Sequence, residues 1–281
     1  WRIRKANVQL FPDQSIPTDE SGMRHRTAQR TAYQTHLPVL SVSASMRLIS
    51  IYVGKYHHIV EEPEALLSRA NLAVDTLDRY SQRLDEVLQT LTILEMRDSA
   101  TVRDVATVMQ RMEMIRRITS EINEYLEELG SEGRLLALQV DDLVRGSGSE
   151  RALVLRDYTR DASAVSTAEA ALSELASDRL VDLAIGGLAL LDVRDLTCGV
   201  DDPTDLDRTI QPRGVRALSL VPRLPWNVIK DITSHWENLA DLREATVEDL
   251  QQIEGIGPYR AKLIRETLEN QFSMAATGIV G

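Results

Sequence analysis

The segment Ser21-Gly22-Met23-Arg24-His25-Arg26-Thr27-Ala28 places three cation-capable side chains where a loop rich in Pro, Asp and Ser passes into an amphipathic helix. A helix N-terminus already carries about half a positive charge and unpaired backbone N–H groups, so Arg24 and Arg26 raise the local potential further unless an anion settles there. Phosphate suits the position. An Arg fork matches phosphate oxygens, and His25 donates, accepts or changes charge near neutral pH. The competing reading pairs both arginines with Asp19 and Glu20 just upstream, as exposed ion pairs of little weight.

A second candidate for phosphate chemistry lies near the other end of the chain. Val247 to Gln252 reads as a helix, Ile253-Glu254-Gly255-Ile256-Gly257 as a turn, and Pro258 to Glu269 as the next helix. Gly255 and Gly257 permit a tight turn that exposes successive N–H groups, and Pro258 suits a first helical turn, so turn and helix end together form a nest for one phosphate. Ile253, Ile256, Leu263 and Ile264 are placed to pack beneath it, with Arg260 and Lys262 beside the flanking backbone. The pattern resembles a helix-hairpin-helix, which grips DNA through its backbone without reading bases. An upstream unit, Arg213 to His235, has Val221-Pro222-Arg223-Leu224-Pro225 in place of the glycines. It turns but offers no equal nest, and Arg223 is its weaker phosphate candidate. Trp226 and Trp236 are expected in the core rather than as base-stacking platforms.

The chain of 281 residues has room for two or three domains and carries a net charge of −11. Broad electrostatic capture of nucleic acid is therefore excluded, because that mode draws on clustered Lys and Arg. From Thr209 onward eight Lys and Arg face nine Asp and Glu, a net of −1 that leaves −10 in the rest. The hairpin end is nearly neutral and the preceding helices are acidic. One cysteine, Cys198, excludes an internal disulfide framework and a Cys-based zinc site. No apolar run approaches the ~20 residues of a membrane span, so a cytoplasmic protein with no membrane partner is expected. The chain opens on Trp1 rather than Met, and further upstream sequence is expected.

Strand character is confined to residues 1–62: Ile3 to Leu10, Val39 to Ser43 and Leu48 to Val53, with a helix from Arg24 to His36 closed by Pro38. That order predicts an α/β sheet. From Pro63-Glu64, the residues Leu66, Ala70, Ala73, Leu77, Tyr80, Leu84, Val87, Leu91 and Leu94 keep a heptad spacing that predicts a long packed helix. Thr101 and Asp104 predict a capping box for a second helix, with Val105, Met109, Met112, Ile115, Ile118 and Ile122 on its apolar face. Shorter helices are expected around Arg134 to Val144, Arg151 to Tyr158, Thr167 to Leu175 and Arg179 to Leu191. The pairs Asp141-Asp142 and Asp201-Asp202 read as solvated surface, and His57-His58, pointing opposite ways on a strand, share no metal.

An α/β segment with Gly-x-Arg-His-Arg-Thr-Ala, a helical spine and a terminal double helix-hairpin-helix, in that order, resemble the DisA family of bacterial diadenylate cyclases that scan DNA integrity. The resemblance covers essentially the whole chain and is closest over Asn7 to Gly54 and Arg213 to Leu268. It implies a multidomain protein: residues 1–62 the C-terminal part of a diadenylate cyclase domain, 63–208 an all-α spine, and 209–281 a tandem helix-hairpin-helix domain for DNA. It also implies condensation of two ATP into cyclic di-AMP with release of pyrophosphate, a Mg2+ or Mn2+ requirement, an octamer, and engagement of branched or damaged DNA irrespective of sequence. Arg24, His25 and Arg26 match the family's catalytic ATP-binding motif, Thr27 the hydroxyl after it, and Ser43 a nucleotide-contacting serine at a strand end. On the DNA side the resemblance picks out Gly255, Ile256, Gly257, Arg260 and Lys262, with Arg223. Two departures stand out. The family's Asp-Gly-Ala motif, which supplies the metal-binding carboxylate, is missing from residues 1–62, so an N-terminal truncation and weak or no activity of this chain are expected. Met23 stands where Thr is common. The alternatives are a non-catalytic oligomeric DNA-binding scaffold, and a helical interaction protein in which Gly255-Ile256-Gly257 is only a turn.

Overall fold

The computed structural model describes residues 2–44, 48–158, 162–177, 180 and 206–277. Expectations for Trp1, Cys198, Asp201-Asp202 and the helix at Arg179 to Leu191, apart from Leu180, lie outside them. The chain divides into two compact units, Trp1–Leu72 with Glu124–Arg134, and Ala73–Asn123 with Leu135–Gly281.

In the first unit α1 (Met23–Thr35) packs on an antiparallel meander of β1 (Val39–Ser43), β2 (Leu48–Val53) and β3 (Tyr56–Val60). The helix ends where His36 turns left-handed at φ 56°, and Pro38 prevents its continuation. Ile3 to Leu10, expected as a strand, forms none, and Asn7 sits at φ 54°. Alternating apolar residues make a strand only when a neighbour takes up their backbone hydrogen bonds, and the sheet of described residues offers this segment no partner. The strand of His57-His58, given no bounds by the sequence, is β3, joined to β2 through a two-residue turn in which Gly54 takes φ 57°.

Register fixes which sheet face meets α1. Val39 pairs with Tyr52 and Tyr52 with His57, and Ser41 pairs with Ser50. This face is buried against Ala28 and Ala32 of α1. The other face carries Leu40, Val42, Ile49 and Val53, which are 38–63% exposed.

In the helical region α2 (Pro63–Met96) and α3 (Val102–Leu129) carry the predicted patterns. Ala70, Leu77, Leu84 and Leu91, seven apart, are all buried, as are Met109, Met112, Ile115 and Ile122 of α3. The α3 capping box is formed: the Thr101 N–H donates to Asp104 Oδ2 at 2.8 Å, and the Asp104 N–H to Thr101 Oγ1 at 3.4 Å. A 3-10 turn, Gly130–Gly133, leads to α4 (Arg134–Leu143), α5 (Ser147–Tyr158) and α6 (Ala162–Glu174). The last two begin four and five residues earlier than sequence signals suggest: the first turn of α5 is Ser-Gly-Ser-Glu, without apolar periodicity, and that of α6 is Ala-Ser-Ala-Val, whose one sizeable apolar side chain sets no period. Asp141 and Asp142 are exposed.

The C-terminal helices are α7 (Val215–Ser219), α8 (Trp226–His235), α9 (Leu239–Glu244), α10 (Val247–Leu250) and α11 (Pro258–Thr277). One apolar core joins them, from Leu218, Val228 and Ile232 to Ile253, Ile256 and Ile264. Trp236 packs partly into this core. Trp226 does not: it is 45% exposed, with the Arg156 guanidinium 4.5 Å from its ring centre. It opens α8 on the solvent side, and the cation-π contact covers one face of the ring.

Candidate functional site

The N-terminus of α1 carries positive charge that no side chain among the described residues offsets. Its N-cap is Gly22, which brings no side-chain cap, and the first turn holds no acidic residue. Arg24 and Arg26 are both exposed. Arg26 Nε donates to the Glu20 carbonyl at 2.8 Å, while Arg24 makes no hydrogen bond or ion pair among the described residues. Neither arginine engages the Asp19 or Glu20 carboxylate. Thr27 Oγ1 donates back to the Met23 carbonyl at 2.9 Å, and Ser43 is buried at the end of β1.

His25 turns the other way. It is 5% exposed, and its Nδ1 lies 3.1 Å from the Tyr52 hydroxyl. Tyr52 donates its own proton to Glu20 Oε1 at 3.0 Å, so the His25 bond requires Nδ1–H as donor. His57 completes the group, with Nδ1 3.1 Å from the same Glu20 oxygen and its ring stacked on Tyr52 at 4.6 Å. Burial, then the Glu20 bond and charge, push the Tyr52 hydroxyl up to about 12. His25 Nε2 is buried without a partner. The group ties the loop before α1 to the sheet and so aims Arg24 and Arg26 outward. Nothing in the sequence signals that Tyr52, Glu20 and His57 form one group. His25 lies on the same helix face as Ala28 and Ala32, the face the sheet covers. His58 points to the opposite sheet face and meets Glu128 at 3.1 Å.

At the C-terminal turn Gly255 adopts φ 84°, and the Ile256 N–H donates to the Ile253 carbonyl at 3.1 Å. Arg260 Nη1 donates to the Gly255 carbonyl, turning that oxygen away from the nest. The Gly257 carbonyl accepts from the Ala261 N–H at 3.0 Å, which makes Gly257 the N-cap of α11. Among the described residues the amides of Gly257, Tyr259 and Arg260 donate to no backbone carbonyl. A Cβ built on Gly257 would meet nothing within 4 Å, so the turn is open on that side. Ile253, Ile256 and Ile264 are buried beneath and Leu263 partly so, while Lys262 is exposed beside Glu266 at 3.6 Å.

The upstream turn repeats this geometry. Arg223 takes φ 57°, as Gly255 does at 84°, and the Leu224 N–H donates to the Val221 carbonyl at 3.3 Å, as Ile256 does to Ile253. Pro225 stands where Gly257 stands and supplies no N–H. The upstream turn therefore lacks the amide that Gly257 offers and carries an exposed cation, Arg223, in its place.

A buried ionic group seats this module on the preceding helices. The Val215 and Arg216 amides donate to the two Asp157 carboxylate oxygens at 2.6 and 2.7 Å. Arg216 reaches Glu95 at 2.6 Å and Glu150 at 2.9 Å, and the Tyr158 hydroxyl donates to Glu95 at 2.8 Å. Burial, reinforced by the Glu95 charge, pushes the Asp157 carboxyl up to about 7 against these bonds.

An α/β segment with an uncapped, arginine-bearing helix start, a helical region and a terminal helix-hairpin-helix define a multidomain protein of modular build, and known proteins match it segment by segment. Residues 1–56 match the DisA bacterial checkpoint controller nucleotide-binding family, residues 60–189 the DisA bacterial checkpoint controller linker region, and residues 238–267 the helix-hairpin-helix motif. The DNA integrity scanning protein DisA of Acidothermus cellulolyticus is 50% identical over 272 residues, covering 95% of this chain and 72% of that protein. Its counterpart in Streptomyces coelicolor is 47% identical, covering 95% and 71%, and that of Kineococcus radiotolerans 46%, covering 95% and 73%. The chain belongs to the DisA family.

Proposed function

We propose that this protein serves a diadenylate cyclase that joins two ATP molecules into cyclic di-AMP with release of pyrophosphate, coupled to scanning of DNA for branched or damaged structures. Residues 1–62 would hold ATP, 63–208 form the spine, and 209–281 grip DNA. The observation that carries the reading is the uncapped N-terminus of α1, with Arg24 and Arg26 turned outward within a segment that matches a nucleotide-binding family. Arg24, Arg26 and the free amides of the first turn would neutralise phosphate charge as pyrophosphate leaves. His25, through Tyr52, would hold that turn in place. Thr27 and Ser43 would add hydroxyl contacts. At the far end the amides from Gly257 onward would hold one DNA phosphate, Ile256 would support the turn, and Arg260, Lys262 and Arg223 would flank it.

The divalent ion that this chemistry calls for finds no ready-made seat. Among the described residues no group of three His, Cys, Asp or Glu side chains is gathered to hold a metal, and the sequence contains no Asp-Gly-Ala. No step is assigned to a metal held by these residues. Octameric assembly in the cytoplasm near the nucleoid belongs to the same proposal.

Incubation with ATP and Mg2+ or Mn2+, with and without branched DNA, followed by separation of the nucleotides, tests it. ATP should bind, with affinity lost in the Arg24→Ala, Arg26→Ala double variant. Cyclic di-AMP should appear when a polypeptide carrying Asp-Gly-Ala completes the site. ATP binding indifferent to both substitutions would overturn the assignment and favour a DNA-binding scaffold.

A further inference from the structure

A cavity of about 670 Å³ opens between α3, the start of α5 and α6, wholly within the second unit. Its apolar side is formed by Met112, Ile115 and Val144. Its polar side draws on a charge cluster that phosphate handling at α1 and the hairpin leaves unused. Glu113 is fully buried and shared by three arginines: Arg116 at 2.8 Å, Arg117 at 2.8 Å and Arg151 at 2.8 Å. Burial alone would raise the Glu113 carboxyl, yet the three guanidinium bonds hold it below its ordinary value. One carboxylate cannot neutralise three cations. Arg117 turns its remaining donors to the Leu172 and Leu175 carbonyls at the end of α6, at 3.1 and 2.6 Å. Arg116 and Arg151 line the cavity.

Arg151 is 8% exposed, and among the described residues it donates one hydrogen bond, to Glu113, of the five its guanidinium offers. Arg116 keeps its Nη1 group unengaged among the described residues. The α5 N-terminus adds backbone donors: the Gly148 amide has no carbonyl partner among the described residues, and a Cβ built on Gly148 would meet nothing within 4 Å. Thr119, another lining residue, has a buried hydroxyl with no partner. Glu169 supplies a single opposing carboxylate on the α6 side.

Two guanidinium groups, helix-end amides and a hydroxyl exceed what the two oxygens of a carboxylate can use, and they match the three oxygens of a phosphate monoester. The apolar side and the volume call for a body attached to that phosphate, in the size range of small-molecule sites. We propose that this cavity binds a phosphate monoester with an aromatic or apolar body of about nucleoside size, through Arg151, Arg116 and the start of α5.

Calorimetric titration of the full chain carrying Arg24→Ala, Arg26→Ala and Gly257→Asp, which silences the phosphate seats proposed at α1 and at the hairpin, isolates this cavity. The probes are phenyl phosphate, AMP, inorganic phosphate and phenylacetate. Phenyl phosphate or AMP should bind one to one, at least tenfold tighter than inorganic phosphate or phenylacetate. Arg116→Gln, at a half-exposed site that leaves Glu113 with two arginines, should weaken binding at least tenfold. Gly148→Ala, which meets no neighbour, should do the same without lowering the melting temperature. No binding of either ester, equal binding of inorganic phosphate or phenylacetate, or full affinity in both variants would overturn the proposal.

Discussion

Replacing Gly257 with Asp should separate fold from function in the hairpin by moving them in opposite directions. The backbone at Gly257 lies outside the left-handed region and a side chain there meets no atom within 4 Å, so the fold bears no steric cost. Gly257 is also the N-cap of α11, and Asp caps a helix better than Gly by a few tenths of a kcal/mol. The melting temperature should hold or rise slightly. The same carboxylate would satisfy the amides of Tyr259 and Arg260 and repel a DNA phosphate approaching them. Losing one charge-assisted phosphate contact costs about 1.5–3 kcal/mol, or roughly a 10- to 150-fold loss of affinity. Fluorescence anisotropy with a labelled four-way junction at fixed salt measures it, beside a thermal melt of each variant. Unchanged affinity with an intact melt would refute the phosphate nest and leave Gly255-Ile256-Gly257 a structural turn.

The surroundings of the hairpin give three further outcomes. Arg216→Met leaves the buried Glu95 without its guanidinium and removes that positive charge from beside Asp157, whose bonds to the backbone amides remain; it should cost about 3–5 kcal/mol in a denaturant melt, more at pH 8 than at pH 6. The sign follows from Asp157, whose carboxyl is raised from 3.8 to about 7 on folding: its contribution to stability is full below about 3.8 and is lost as pH rises through about 7. The native protein should therefore lose stability between pH 5 and pH 8 relative to Asp157→Asn, and parallel pH profiles would contradict the raised value. Arg223→Gly relieves a left-handed residue at a cost of about 1–2 kcal/mol, offset by about 0.5–1 kcal/mol of added chain entropy, so chemical denaturation should show a small gain. A clear loss of stability would mean that the Arg223 side chain supports the fold.

Sequence carried the parts of this fold that are governed by local rules. The heptad of Ala70, Leu77, Leu84 and Leu91 and the Thr101–Asp104 box depend on neighbours three to seven residues away, and both appear as expected. Ile3 to Leu10 failed because alternation states a preference that only a pairing strand satisfies. The burial of Trp226 depended on what lay across from it, which composition does not reveal. Arg216 and Glu95 are separated by 121 residues, and no local pattern announces that bond. At the candidate sites the residue types were legible and the directions were not: Arg24, His25 and Arg26 read as one cluster, yet the helix sends the middle one inward to Tyr52.

The paired turns have a consequence for ionic strength. Cations that neutralise phosphates release condensed counterions, and affinity then falls by about 0.9 decades per decade of salt for each phosphate neutralised. Backbone amides carry no net charge and release none. In the proposed DNA grip the amides after Gly257 would hold a phosphate without adding to that slope, which would then count only Arg223, Arg260 and Lys262. In a module whose net charge is near zero, such a grip would owe more to the fit of phosphates at the two turns than to counterion release.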